Sequence, residues 1–188
     1  DSDYVLKIYQ WGVSYENHIW LITDYCEFSL DKYMKVEKFP VLTLFKQILE
    51  GLMIMHSNRI IHRDLKPANI LVNVNPLVFK IADLGLSKYF ESTNEFVDGN
   101  IAGTPSYMAP EVLAREKYSY NVDIWSFVVI LYHVITGELP NTALFREQIM
   151  ELQIDLQDIM LYMCNGNSKE RPSAMEVYKK FYKLQNTH

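Results

Sequence analysis

The chain has 188 residues, 49% of them apolar and 22% charged, with seven glycines and seven prolines. A chain of this length can bury roughly 70% of its unfolded surface, so it holds a core without metals or disulfides, and its composition excludes disordered, collagen-like and low-complexity classes. Its 18 basic and 23 acidic residues give a net charge of −5, which offers no electrostatic footing for nucleic acid or an anionic membrane surface.

Asp1-Ser2-Asp3 is acidic and leads into a strand pattern, so the start does not read as a signal peptide. Val5-Leu6-Lys7-Ile8 and Ile19-Trp20-Leu21-Ile22-Thr23 read as strands joined by a polar turn at Tyr15-Glu16-Asn17. Pro40 then precedes a helix in which Val41, Leu44, Phe45, Ile48, Leu52 and Met55 share one face. Ile70-Leu71-Val72 and Val78-Phe79-Lys80-Ile81 are short strands around an Asn75-Pro76 turn. From Asp123 to Thr136 a helix is apolar almost all round and stops at Gly137, which predicts an element buried at the centre of the domain. Ser173-Ala174-Met175-Glu176 is a capping box opening a last helix with Val177, Phe181 and Leu184 on its apolar stripe. The fold class is therefore α+β, with helices dominating.

The longest apolar run, Phe127 to Tyr132, is far short of the ~20 residues that span a bilayer, so no membrane segment is expected. Cys26 and Cys164 lie far apart without metal-type spacing, and the five histidines show no ligand spacing either. Two such thiols read as buried or hinge-region cysteines in a reducing, cytoplasmic setting.

One segment carries chemistry. His62-Arg63-Asp64-Leu65-Lys66-Pro67-Ala68-Asn69 fits the pattern H-R-D-L-x-x-x-N, and it sits between a long helix and a short strand hairpin. Asp83-Leu84-Gly85 follows the hairpin, and Ala109-Pro110-Glu111 comes later in the same order. A carboxylate, a nearby ammonium and two further oxygen ligands suit phosphoryl transfer, which depends on positioning and charge neutralisation more than on covalent chemistry.

On these motifs the chain resembles the eukaryotic protein kinases over essentially its whole length. Lys66 two residues past Asp64, together with Gly103-Thr104-Pro105-Ser106-Tyr107-Met108-Ala109-Pro110-Glu111, is similar to the serine/threonine branch. The resemblance implies a kinase-like fold whose residues 1–23 are small-lobe strands, 24–26 the hinge and 27–188 the large lobe. It implies Asp64 as the base for a protein substrate's hydroxyl, Lys66 as a charge beside the transferring phosphate, and Thr104 as a hydrogen-bonding partner of both. Asn69 and Asp83 would hold Mg2+ on the phosphates of ATP. Thr23 and Asp24-Tyr25-Cys26 resemble gatekeeper and hinge, with adenine meeting the Asp24 carbonyl and the Cys26 N–H while Leu71 packs on the ring. Glu111 with Arg171 resembles a buried structural ion pair. Asp123 would fasten the catalytic loop's backbone, and His62 would be a packed core residue.

Several parts of the family pattern are missing. The glycines at 12, 51, 85, 99, 103, 137 and 166 include no G-x-G-x-x-G, and 15 residues between Lys7 and Thr23 leave no room for an intervening helix and strand. The sequence is thus expected to enter the kinase pattern after its phosphate loop and strand lysine. That leaves a second reading, a catalytically inactive kinase-like scaffold that binds proteins. Leu84 stands where the family usually has phenylalanine, Val128 where it has glycine, and the stretch from Pro140 to Arg171 is short. Arg63 resembles the arginine that pairs with a phosphate on the activation segment, yet residues 95–102 contain no serine, threonine or tyrosine. Asp98 is a candidate fixed charge for Arg63, a solvated loop without that pairing is the alternative, and Ser92 or Thr93 are the nearest upstream acceptors.

Overall fold

A computed structural model describes residues 2–92 and 95–185, so Asp1 and Thr93 lie outside the described residues. Among the described residues, seven strands and seven α-helices follow one another. The strands are β1 (Ile8–Val13), β2 (Ile19–Thr23), β3 (Phe28–Ser29), β4 (Ile60–Ile61), β5 (Ile70–Asn73), β6 (Val78–Ile81) and β7 (Lys88–Tyr89). The helices are α1 (Leu30–Val36), α2 (Val41–Ser57), α3 (Pro110–Leu113), α4 (Asn121–Thr136), α5 (Phe145–Met150), α6 (Gln157–Met163) and α7 (Ala174–Gln185).

The helical body is organised around α4. Every residue of α4 from Val122 to Tyr132 is buried, as its all-round apolarity requires. It ends where Gly137 adopts φ 79° and returns its N–H to the His133 carbonyl, a left-handed cap that glycine takes without penalty. Against it packs α2, whose buried Leu44, Phe45, Ile48, Leu49, Leu52 and Met55 each contribute about 1.5–3 kcal/mol of burial. Phe45 joins three helices, with ring centroids 5.8 Å from Phe127 and 4.8 Å from Phe181. The capping box closes as read: Glu176 accepts from Ser173 N and Oγ, and Ser173 Oγ accepts from Glu176 N. Val128 is fully enclosed in the core. The short stretch from Pro140 to Arg171 holds only α5 and α6 and their links.

Among the described residues three small sheets decorate this body: the hairpin β1–β2, the antiparallel ribbon β3–β5–β6, and the pair β4–β7. The first strand differs from the expected one. Tyr4 to Leu6 run along β6 instead, with Ile81 N donating to Tyr4 O and Leu6 N to Ile81 O, and the hairpin strand begins only at Ile8. Backbone groups at Tyr4 and Leu6 thereby find partners at the end of β6. In the hairpin, Trp11 faces Leu21 and Val13 faces Ile19, and these four side chains are 55–71% exposed on one surface. Among the described residues no helix is long and apolar enough to cross a membrane.

Candidate active site

The loop from His62 to Asn69 leaves β4, passes through a 3-10 turn at Pro67–Asn69 and enters β5. Its position is set from α4. The buried carboxylate of Asp123 accepts from His62 N at 2.9 Å and Arg63 N at 3.0 Å. It also lies 2.9 Å from His56 Nε2 on α2. Burial alone would push this carboxyl up, but the His56 hydrogen bond and the neighbouring donors outweigh it and hold it below the ordinary range. His62, also buried, bridges two segments: Nδ1 accepts from Asp64 N at 3.2 Å and Nε2 lies 2.9 Å from the Ala82 carbonyl. That pattern puts a ring proton on Nε2. Arg63 (φ 69°) and Asp83 (φ 61°) both adopt left-handed backbone that non-glycine residues rarely take.

Asp64 is the hub of the site. Its Oδ1 accepts from Thr104 Oγ1 at 2.7 Å, and its Oδ2 accepts from Lys66 Nζ at 2.8 Å and Asn69 Nδ2 at 3.1 Å. Lys66 Nζ also donates to Thr104 Oγ1 at 2.8 Å, closing a triangle between the loop and the segment before α3. Burial raises the Asp64 carboxyl, yet the hydrogen bonds from Lys66 and Thr104, the Lys66 charge and the Asn69 hydrogen bond prevail and hold it below its ordinary value. The group is therefore an ionised acceptor at neutral pH.

Gly103 explains how Thr104 reaches this point. It has φ 112°, and a Cβ there would stand 2.4 Å from the Arg63 carbonyl oxygen, so only glycine lets the two backbones approach. Gly103→Ala is expected to move Thr104 off Asp64, costing about 1–3 kcal/mol of stability. In an activity assay it should also lower turnover more than it raises the KM for nucleotide.

Asn69 gives its second Nδ2 hydrogen to the Asp64 carbonyl at 2.9 Å, so both of its N–H bonds are used and its Oδ1 is left as an oxygen donor. Asp83 is exposed, with Oδ1 accepting from Gly85 N at 3.2 Å. The Asn69 carbonyl accepts from Ala82 N, which ties the two metal-ligand candidates to adjoining backbone. Among the described residues no three His, Cys, Asp or Glu side chains converge as a preformed metal site. One amide oxygen and one carboxylate instead suit a Mg2+ ion that takes its other ligands from phosphates and water.

At the other edge, Thr23 Oγ1 donates to the Asp24 carbonyl at 2.9 Å. Leu71 is half-buried on β5, and Cys26 is a free, partly buried thiol pushed up by burial. The Asp24 side chain has its own network, accepting from Lys80 Nζ at 2.7 Å and Tyr9 Oη at 2.6 Å. These bonds hold its carboxyl at about 2.

Because that value lies below the unfolded value of about 3.9, the contribution of Asp24 to stability is full above pH ~4 and fades as pH falls toward 2. An NMR titration should find the Asp24 carboxyl near 2, and Lys80→Ala should return it toward the ordinary range.

Compared with known proteins, residues 1–183 match the protein kinase domain family. The chain belongs to the protein kinase family. It is 37% identical to the serine/threonine-protein kinase pakH of Dictyostelium discoideum over 148 residues, 74% of this chain and 28% of that protein. It is 33% identical to human serine/threonine-protein kinase ULK1 over 190 residues, 86% of this chain and 18% of that protein. With serine/threonine-protein kinase Nek11 of Macaca fascicularis the identity is 34% over 207 residues, 95% of this chain and 31% of that protein. The chain therefore spans less than a third of the length of each of these relatives.

Within this kinase domain the segment after Thr104 is tied down by a second set of contacts. Arg171 grips Glu111 with both amino groups, at 2.6 and 3.0 Å, and also donates to the Asn121 and Asn165 carbonyls. Its guanidinium lies 5.1 Å from the centre of the Trp125 ring. The proposed pairing of Arg63 with Asp98 does not form. Arg63 Nε donates to the Leu86 carbonyl at 2.5 Å, while Asp98 makes an exposed 3.1 Å ion pair with Lys117. The cause is the backbone bridge between Val97 and Tyr118, which carries Asp98 to the residue preceding Tyr118.

Three positions in the kinase site were not singled out from sequence. Lys80 is the one charge in the strand Val78-Phe79-Lys80-Ile81 and so carried a local signal, whereas His56 is one of several polar residues on the amphipathic α2 and carried none. Tyr107 bonds His133 at 2.9 Å, a contact between distant elements that no local pattern announces.

Proposed function

We propose that this chain is the catalytic region of a serine/threonine protein kinase, moving the γ-phosphate of ATP to a serine or threonine hydroxyl of a protein substrate. The observation that carries this reading is the closed cluster of Asp64, Lys66, Thr104 and Asn69. Asp64 is ionised and aimed, so it orients the acceptor hydroxyl and takes its proton as the new O–P bond forms and the bond from the γ-phosphorus to the bridging oxygen breaks, releasing ADP. To do so it exchanges one of its present partners, Thr104 or Lys66, for the substrate. Lys66, released in part, stabilises negative charge on the transferring group. Asn69 Oδ1 and Asp83 would hold Mg2+, which supplies charge neutralisation on the phosphates. Residues 24–26 serve as hinge, with the Asp24 carbonyl, Cys26 N–H, Thr23 and Leu71 about the adenine; residues 1–23 then belong to the small lobe and 27–188 to the large lobe. The two free cysteines agree with a reducing, cytoplasmic setting.

The exposed apolar face of the β1–β2 hairpin, formed by Trp11, Val13, Ile19 and Leu21, supports a second reading, a protein-binding scaffold without catalysis. Phosphoamino-acid analysis of a mixed acceptor protein treated with the complete protein and Mg2+-ATP separates the two. Phosphoserine and phosphothreonine are expected. Phosphotyrosine alone would overturn the acceptor class, and no transfer by a folded preparation would favour the scaffold.

A further inference from the structure

In the helical body, two depressions of about 490 and 480 Å3 share Leu42, Asp155 and Leu156 and so form one groove, lined by none of the residues of the Asp64 cluster. The first lies between the start of α2, the end of α4 and the link before α6, and its floor includes Val134, Ile135 and Ile154. The second continues over Ile159 of α6 to Phe181 of α7. Leu42 is 37% exposed although it stands in the first turn of a helix whose other apolar residues are mostly buried. A concave, mainly apolar surface with charged groups at its edge is the form that helix-binding grooves take.

Its rim has a sign. Glu37, Asp155 and Asp158 are exposed carboxylates in the lining, and Lys38 is the one basic lining residue among those described. Lys46, beside the second depression, holds its ammonium 5.7 Å from the Phe181 ring centre. A fatty acid or anionic lipid would bring its negative head against the three carboxylates. A cationic, apolar peptide would gain from them. We propose that this groove docks an amphipathic helical segment of another protein, with two bulky apolar side chains filling the depressions and Lys or Arg beside them. The site is separate from the phosphate-transfer cluster, and it does not depend on the catalytic reading being right.

A model helix of leucine and lysine, fluorescently labelled, is the probe; its partner is the same helix with glutamate in place of lysine. The lysine helix should bind the wild-type chain and protect backbone amides at 37–42 and 152–159 from hydrogen exchange. Asp155→Lys with Asp158→Lys should weaken it at least about tenfold, as should raising salt from ~50 to ~500 mM. Glutamate-helix binding of equal strength would overturn the proposal. So would protection confined to β1 and β2, displacement of the peptide by oleate, or a concentration-dependent dimer that Leu42→Glu abolishes. Should the charge-reversed variant fail to fold, the exchange and salt measurements on the wild-type chain still decide the matter.

Discussion

Replacing Asp64 with asparagine in the complete protein is expected to lower phosphate transfer by about 10²–10⁴-fold while changing nucleotide affinity little. Asparagine keeps an oxygen that can accept from Thr104 or Lys66, so the triangle around it survives; what is lost is the capacity to take a proton. The neighbouring carboxylate makes the contrast. Asp83 makes no described hydrogen bond to the Asp64 cluster and lies exposed beside Gly85. Asp83→Asn should therefore raise the KM for Mg2+-ATP by weakening metal binding. Steady-state kinetics with both variants separate the roles. Near-normal turnover by Asp64→Asn would remove it as the base.

The largest effect on stability is expected at Arg171. Its pair with Glu111 is almost wholly enclosed, with side-chain exposures of 0% and 3%. Arg171→Ala leaves Glu111 charged and without its partner, at a cost of about 3–5 kcal/mol. For a domain of this size that corresponds to a fall in Tm of roughly 6–20 °C by calorimetry. Glu111→Leu together with Arg171→Met should recover only part of the loss. The carbonyls of Asn121 and Asn165 also depend on Arg171 and would remain without that donor. Full recovery would show that the pair itself, and not those two carbonyls, held the segment.

Much of this was legible in the residues. The all-apolar run of α4 and the one-sided stripe of α2 are strong periodic signals because each helix is long and buries a defined surface. The His62–Asn69 motif fixed which side chains meet, since Asp64, Lys66 and Asn69 are close in sequence and the Gly103-Thr104 pair completes them. The start of β1 was misplaced because Gln10 and Gly12 interrupt its apolar run and both faces are exposed, which erases the alternation of a half-buried strand. Helices α1, α5 and α6 have six or seven residues each, too few to show a period. Asp98's partner was set by the Val97–Tyr118 bridge, a pairing across 21 residues that no local pattern encodes.

The anchoring of the catalytic loop by Asp123 bears on how such a loop can change over time. The carboxylate holds backbone N–H groups at residues 62 and 63, and every residue except proline carries the same donor. The anchor itself therefore asks nothing of the side chains at these two positions; what constrains position 62 is the separate bridge its ring makes from Asp64 N to the Ala82 carbonyl. For the anchor the constraint falls on position 123, where one carboxylate must persist to hold both N–H groups.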